Sequence, residues 1–226
     1  MPMGMPYVPP EQIMKDKADY ARKGISRGKS VVAITYDQGV LFVAENPSSL
    51  LNKVSEIYDR IAFAAVGKYN EFETLRQWGI RTADLRGYQF ARMDVTGRSL
   101  ANAYSNLIGS VFAGTDKPWE VELLVAELSA EDVELYHILY DGSITDEKGY
   151  IAIGGDADAI NERLGRDFSA DMSRAAALLT ARRALGGAED RTIAAERLEV
   201  AGLDRGRGRR KFFRLDTAAV AAALQA

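Results

Sequence analysis

The sequence predicts an α+β fold, a four-layer α-β-β-α sandwich in which two antiparallel sheets lie between outer layers of helices. The first observation behind this prediction is the order of the elements, which reads as strands, two helices, strands, two helices and strands. Runs of like elements favour stacked antiparallel sheets over the alternating pattern of a parallel α/β fold. The second observation is the apolar character of the opening strands, two of which need cover on both faces. Helices outside the sheets supply that cover.

The opening strands form two hairpins. Residues 31–36 and 40–44 are β-branched and apolar runs, separated by the turn-forming residues Asp37-Gln38-Gly39. Residues 53–58 and 61–66 repeat the pattern. We therefore expect antiparallel strands up to the first long helix.

A short helix is predicted ahead of these strands, at residues 9–24. Pro9-Pro10 suits a first helical turn, whose N–H groups have no intrahelical partner, and Gly24 is a typical helix end. An exposed helix in front of a buried sheet has little of its own chain to pack on. It is either solvated or packs on a neighbouring subunit.

Two long helices follow the opening strands. Asn70 and Glu73 have the spacing of a capping box, which predicts a helix from there to about Arg86. Thr96 begins the second helix, whose apolar residues keep the spacing of a core-facing stripe as far as Gly114.

The second half of the chain repeats this order. Strands are predicted first, then two helices, then a hairpin around a basic turn and a last helix. Their ranges are 121–128, 134–140 and 150–153 for the strands, 157–168 and 170–185 for the helices, 198–203 and 212–215 for the hairpin around the turn 205–211, and 217–226 for the last helix.

Composition limits the possible functions. The chain has 226 residues, 47% of them hydrophobic, which suits a single domain at residues 9–226 behind a short segment at residues 1–8. It has no cysteine and one histidine, His137, so disulfides, thiolate chemistry and histidine-based metal sites are not expected. The formal charge of -3 gives no general attraction to nucleic acid or an acidic membrane. Without a signal-peptide pattern or a membrane-spanning run, we expect a cytoplasmic protein without cofactor or metal.

Several motifs resemble those of proteasome core subunits. The residues before the first strand are similar to the extra N-terminal helix of α-type subunits, and the opening strands are similar to the family's first sheet. The motifs are P-P-E-Q-I-M-K-D-K-A-D-Y-A-R-K-G-I, N-E-F-E-T-L-R, R-G-Y, D-V-T-G-R, K-P-W-E-V-E-L-L-V-A-E and L-Y-D-G-S-I. They most resemble the actinobacterial α subunits, and the resemblance implies the fold of the N-terminal-nucleophile hydrolases.

The resemblance also implies that the chain is not an enzyme. In β-type subunits a freed N-terminal threonine supplies both the nucleophile and the amine base. The matching position here is Lys29, which has no hydroxyl, and Ser30 lies one residue too late. The family's supporting lysine and acidic positions are occupied by Lys53 and Glu45. The catalytic site would thus keep its surroundings without its nucleophile.

The resemblance implies a docking site at Lys53. In α subunits the matching lysine pairs with the C-terminal carboxylate of an activator tail, in a pocket between neighbouring subunits. Gly28 and Lys68 would lie on the wall of that pocket. The alternative interpretation of Lys53 is an ordinary lysine that reaches water at the start of a strand.

The N-terminus and one loop resemble the family's gate and pore loop. Lys117, Pro118 and Trp119 would form the pore loop, although they also suit an ordinary helix-to-strand connection. The residues that would obstruct the pore are Met1, Pro2, Met3, Gly4, Met5, Pro6, Tyr7 and Val8.

The partners implied are other copies of the chain in a heptameric α ring, proteasome β subunits that carry out proteolysis, and a ring-shaped ATPase that docks through its C-terminal tails. The actinobacterial resemblance further implies degradation of proteins tagged with the small modifier Pup. Two alternatives remain: a self-processing N-terminal-nucleophile peptidase that uses Ser30, and a nucleic-acid-binding protein that uses the 205–211 turn. The glycines at 154–155 are interpreted as a strand-to-helix turn and not as a phosphate site.

Overall fold

A computed structural model describes residues 9–48, 50–114, 117–129, 132–187 and 191–225. The predicted gate, residues 1–8, therefore lies outside the described residues. Within the described ranges, the strands form two five-stranded sheets in which all neighbours are antiparallel. The predicted α+β sandwich is confirmed.

The strands follow the predicted order closely. In chain order they are β1 (Val31–Tyr36), β2 (Gly39–Glu45), β3 (Val54–Tyr58), β4 (Ile61–Gly67), β5 (Val121–Leu128), β6 (Val133–Ile138), β7 (Ile144–Glu147), β8 (Tyr150–Ile153), β9 (Leu198–Asp204) and β10 (Phe212–Leu215). The first sheet has the order β10-β9-β2-β1-β8 and the second has the order β3-β4-β5-β6-β7. The two opening hairpins thus lie in different sheets, one in each layer of the sandwich.

The helices cover the outer faces of the sheets, except for the first helix, whose buried residues belong to the core between the sheets. They are α1 (Pro10–Ser26), α2 (Tyr69–Gln89), α3 (Gly97–Gly114), α4 (Ala157–Asp167), α5 (Arg174–Gly186) and α6 (Thr217–Ala223). Helices α4 and α5 pack on the first sheet, α2 and α3 pack on the second, and α1 lies against β4 and β5. One apolar core fills the space between the sheets and two others lie under the helix layers. Every residue of β2 is buried, as the sequence predicted.

The predicted boundaries of α1 and α2 are wrong for identifiable reasons. Helix α1 continues past Gly24, where a side chain would overlap the carboxylate of Glu120. The glycine therefore serves close packing and does not end the helix. Helix α2 begins at Tyr69, and the side chain of Glu73 binds Arg76 and not the backbone at the helix start, so the predicted capping box does not form.

Strand β7 was absent from the prediction. Its four residues are only partly buried or exposed, so they lack the apolar run that indicates a strand. The strand forms because the turn at Asp141-Gly142 brings Ile144 opposite Ile138 on β6. Helix α5 also begins later than predicted, at Arg174, where the Ser173 hydroxyl caps the backbone N–H of Ala176.

Candidate functional site

The residues that resemble the family's catalytic region lie where α1 leads into β1. The backbone N–H of Gly28 donates to the carbonyl of Ile25 at 3.0 Å, which closes the helix end. Strand β1 then pairs with β2 on one side and with β8 on the other. The segment at Gly28, Lys29 and Ser30 is therefore held at the edge of the sandwich by rigid elements.

Lys53 reaches this segment from the other sheet. It precedes β3, and its Nζ donates a hydrogen bond to the backbone carbonyl of Lys29. Gly28 is adjacent, and a Cβ added there would lie 3.7 Å from the backbone nitrogen of Gly67. Lys68 follows that glycine and is exposed, with its Nζ 3.8 Å from Glu71 Oε1. Of the residues of the predicted docking pocket, Gly28 thus lies next to Lys29, which Lys53 contacts, and close to Gly67, which precedes Lys68.

The Lys53 ammonium is partly dehydrated. Burial lowers the pKa of Lys53 from 10.5 to about 8, and the positive charge of Lys29 acts in the same direction. The carboxylates of Glu199 and Glu45 oppose this change. A half-buried lysine with a poorly solvated charge attracts a carboxylate more strongly than a lysine in open water does.

Glu45 forms ion pairs with three cationic side chains near the segment Gly28–Ser30. Its carboxylate lies 2.8 Å from Arg191 Nη2, 3.0 Å from Arg197 Nη2 and 3.3 Å from Lys29 Nζ. The hydrogen bond from Arg191, with the charges of Lys29 and Arg191, lowers the pKa of Glu45 to about 2. The buried carboxylate is therefore ionised and neutralised by its neighbours, and it is not available as a general base at neutral pH.

The Glu45 cluster predicts an acid-sensitive stabilisation. Below its ordinary pKa of 4.5, the unfolded chain binds a proton at Glu45 that the folded chain does not bind until about pH 2. The stabilisation is therefore complete above about pH 4.5 and is lost as the pH falls toward 2. At pH 7 we expect Glu45→Gln to reduce the free energy of unfolding by about 2 kcal/mol, since charge-assisted hydrogen bonds are removed.

Thermal unfolding of wild type and Glu45→Gln between pH 7 and pH 3 measures this effect, and the difference between them should narrow as the pH falls. The control is Glu162→Gln, which removes a carboxylate that pairs with Arg166 while both side chains are 69% exposed. Such an exposed pair contributes little at any pH. A pH-independent loss in Glu45→Gln would contradict the assignment.

The Ser30 hydroxyl, the nucleophile of the peptidase alternative, is bound to the backbone. The Ser30 side chain is buried, and its hydroxyl donates to the backbone carbonyl of Gly154 at 2.8 Å. The backbone N–H of Gly154 in turn donates to Glu122 Oε2 at 3.1 Å. The turn at Gly154-Gly155 thus uses its polar groups within the chain, as the interpretation of a strand-to-helix turn requires.

A cavity of about 390 Å³ opens beside this segment. Its lining includes Gly28, Lys29, Ser30, Glu45 and Arg191. Of these, Glu45 is fully engaged by cations and Ser30 by a backbone carbonyl. The lining therefore combines positive charge with the absence of an activated hydroxyl among its described residues.

The predicted pore loop is fastened to the start of α2. Lys117 Nζ lies 2.6 Å from Glu71 Oε1 and 3.2 Å from Glu120 Oε1. Pro118 is buried, and Trp119 packs against the core under α2 and α3. Glu71, which the sequence analysis did not single out, also lies 3.8 Å from Lys68 and so connects the predicted pore loop to the predicted pocket wall.

The basic turn 205–211 binds groups of its own chain. Arg210 pairs with Glu56, and Arg209 lies 3.7 Å from Asp59. Lys211 Nζ donates to two backbone carbonyls of the turn itself. These contacts favour a structural turn over a phosphate-binding surface.

The described part of the chain contains neither a membrane-spanning helix nor a cluster of metal ligands. No helix within it is long and apolar enough to cross a bilayer. No cluster of three or more histidine, aspartate and glutamate side chains within it could hold a metal ion. His137 instead lies with Nε2 2.6 Å from Glu122 Oε1.

Comparison with known proteins identifies the family. The family model described as proteasome subunit matches residues 25–202. The proteasome subunit alpha of Thermomonospora curvata is 58% identical over 94% of both chains. That of Xylanimonas cellulosilytica is 54% identical over 96% of this chain and 95% of its own, and that of Thermobifida fusca is 51% identical over 99% and 92%. The chain therefore belongs to the proteasome subunit family, and the relatives that it resembles over almost its whole length are alpha subunits of actinobacterial proteasomes.

Proposed function

We propose that this chain is a non-catalytic α subunit that forms the outer ring of a proteasome core particle. The observation that carries the proposal is the site at the start of β1. Lys29 occupies the position that matches the catalytic threonine of the family, and the hydroxyl of the next residue, Ser30, is buried and hydrogen-bonded to a backbone carbonyl. Proteolysis then belongs to the β subunits with which the α ring assembles.

The proposed ring docks a ring-shaped ATPase through the C-terminal tails of the ATPase. The support for this is the contact of the Lys53 ammonium with the carbonyl of Lys29, because Lys29 and Gly28 line a cavity together with Arg191. A tail ends in a single carboxylate, and a compact ammonium at a partly dehydrated position suits that group. The proposed pocket is completed by a neighbouring copy of the chain.

The proposed gate consists of residues 1–8, which precede α1. Helix α1 is fastened through Lys17, whose Nζ donates to the carbonyl of Phe112 at the end of α3, and through close packing of Gly24 on Glu120. Helix α1 and the proposed pore loop, Lys117–Trp119, thus lie on the same side of the domain. Proteins that pass the gate are, in this proposal, those tagged with Pup in the cytoplasm.

Reconstitution with the β partner tests the proposal. The purified chain alone should cleave no peptide, and its intact mass should retain Lys29 and everything before it, whereas co-assembly with β should give a heptameric ring particle by native mass spectrometry. In that particle, deletion of residues 2–8 should raise the hydrolysis of a small fluorogenic peptide. Cleavage by the chain alone after self-trimming would support the peptidase alternative, and an unchanged rate after the deletion would remove the gate.

A further inference from the structure

Lys53 precedes β3, which is the edge strand of the second sheet and has β4 as its strand partner. An edge strand presents unpaired backbone groups on its free side. Here the backbone at Lys53 and Val54, where the strand begins, faces two charged side chains of the first sheet, Glu199 on β9 and Arg214 on β10.

These two side chains hold the backbone around Lys53. Glu199 Oε2 accepts the backbone N–H of Lys53 at 2.9 Å, and Oε1 accepts that of Val54 at 3.0 Å. Arg214 donates to the carbonyl of Val54 at 2.5 Å and to Glu199 Oε1 at 2.6 Å. Asn46 Nδ2 completes the set with a 2.7 Å bond to Glu199 Oε2.

Burial makes this connection rigid. The Glu199 side chain is 6% exposed and that of Arg214 is 34% exposed, so water competes little for the carboxylate. Glu199 accepts four hydrogen bonds, two from backbone N–H groups at Lys53 and Val54 and two from the side chains of Asn46 and Arg214. Together they fix the position and the direction of the backbone at Lys53. The carboxylate therefore ties the backbone at Lys53, which precedes β3 of the second sheet, to β9 of the first sheet.

We propose that the Glu199–Arg214 pair is a positioning device for docking, which sets Lys53 so that its ammonium meets the terminal carboxylate of an activator tail. This inference rests on the proposed docking function of Lys53. Glu199 acts on the ammonium in two ways, through the backbone geometry and through its own negative charge. Together with Glu45 it opposes the effects of burial and of Lys29 on the charge of Lys53.

The test uses the complete α–β particle and a synthetic peptide with the C-terminal sequence of the ATPase. Stimulation of fluorogenic peptide hydrolysis is titrated against this peptide and expressed relative to the basal rate of each particle. Glu199→Gln keeps the shape but cannot accept all four hydrogen bonds, so the half-maximal peptide concentration should rise about tenfold. Loss of the negative charge should also move the alkaline limit of stimulation to lower pH, since Lys53 then loses its proton more easily.

The matched control is Glu127→Gln. Glu127 is a similarly buried carboxylate, which accepts the N–H of Gly97 and pairs with Arg60 at 2.6 Å, far from Lys53 along the second sheet. It should leave both the half-maximal concentration and the alkaline limit unchanged. Equal effects in the two variants would show a general structural role and overturn the proposal.

Arg214→Lys provides a second variant in case Glu199→Gln particles do not assemble. It keeps a positive charge beside Glu199 but cannot bind Val54 and Glu199 together, and it should raise the half-maximal concentration in assembled particles. If both variants show the same half-maximal concentration as the wild type, while Lys53→Ala loses stimulation, the positioning role is overturned and the docking function stands. Full stimulation of Lys53→Ala would instead show that the proposed docking function is wrong.

Discussion

Replacement of Lys53 by alanine should abolish the stimulation of the α–β particle by an ATPase tail peptide. The substitution removes the ammonium that reaches the Lys29 carbonyl beside the cavity. A charge-assisted contact with a carboxylate in a cleft is lost with it, which corresponds to a weakening of tail binding by about 2–5 kcal/mol. Titration of the peptide against fluorogenic hydrolysis measures the effect.

Lys211→Ala is the matched control for this experiment. Lys211 also donates to backbone carbonyls, those of Arg205 and Arg207, but it lies in the basic turn and not at the docking pocket. Its loss should leave stimulation by the peptide unchanged. Equal stimulation of the wild-type and Lys53→Ala particles would show that the tail binds elsewhere.

The same lysine predicts how docking depends on pH. With a pKa of about 8, Lys53 is charged in most molecules at pH 7 and uncharged in most at pH 9. Apparent affinity for the tail peptide should therefore fall as the pH rises through 8, by about tenfold in all between pH 7 and pH 9. A flat profile between pH 7 and 9 would indicate an ordinary solvated lysine.

Gly67→Ala should cause the largest loss of stability among single substitutions near the site. Gly67 ends β4 with a φ of +103°, a backbone angle that residues other than glycine rarely adopt. A Cβ there would also collide with the backbone carbonyl of Glu120. The strained backbone and the displaced carbonyl together cost about 3 kcal/mol or more. For a domain of this size, the thermal midpoint should fall by roughly 10 °C.

Gly208→Ala is the control for this substitution, because a Cβ at Gly208 meets no atom within 4 Å. Calorimetry of the two variants beside the wild type provides the comparison. The Gly67 variant should also dock the tail peptide more weakly, since Lys68 follows directly and Gly28 lies close to the Gly67 nitrogen. Equal midpoints for the two variants would contradict the steric argument.

The fold was predictable because its signals are local. The apolar run at Val31–Tyr36 and the long stripe of α3 each identify their element without knowledge of the rest of the chain. Thr96, which was predicted to begin the helix, precedes α3, and its hydroxyl accepts a 3.2 Å bond from the N–H of Ser99. Elements whose stability comes from a neighbour, such as the polar strand β7, gave no such signal.

The candidate site was predictable only in part, since much of it depends on contacts between distant parts of the chain. Resemblance to the family identified Lys53, but no local pattern relates it to Glu199, which is far along the sequence and on another sheet. The same holds for Glu71, which looks like a surface residue of α2 yet is buried beside Lys117. Buried carboxylates of this kind can be recognised only in the structure, because their hydrogen-bond donors are distant in the sequence.

The strand order of the first sheet has a consequence for synthesis on the ribosome. Strand β2 is made early, yet its outer neighbour β9 begins only at Leu198. The nascent chain must therefore carry a largely apolar strand with an unpaired edge until the residues as far as β9 have left the exit tunnel. Folding of the subunit, and any assembly that depends on it, is consequently expected to follow translation, with chaperones shielding the waiting hairpin.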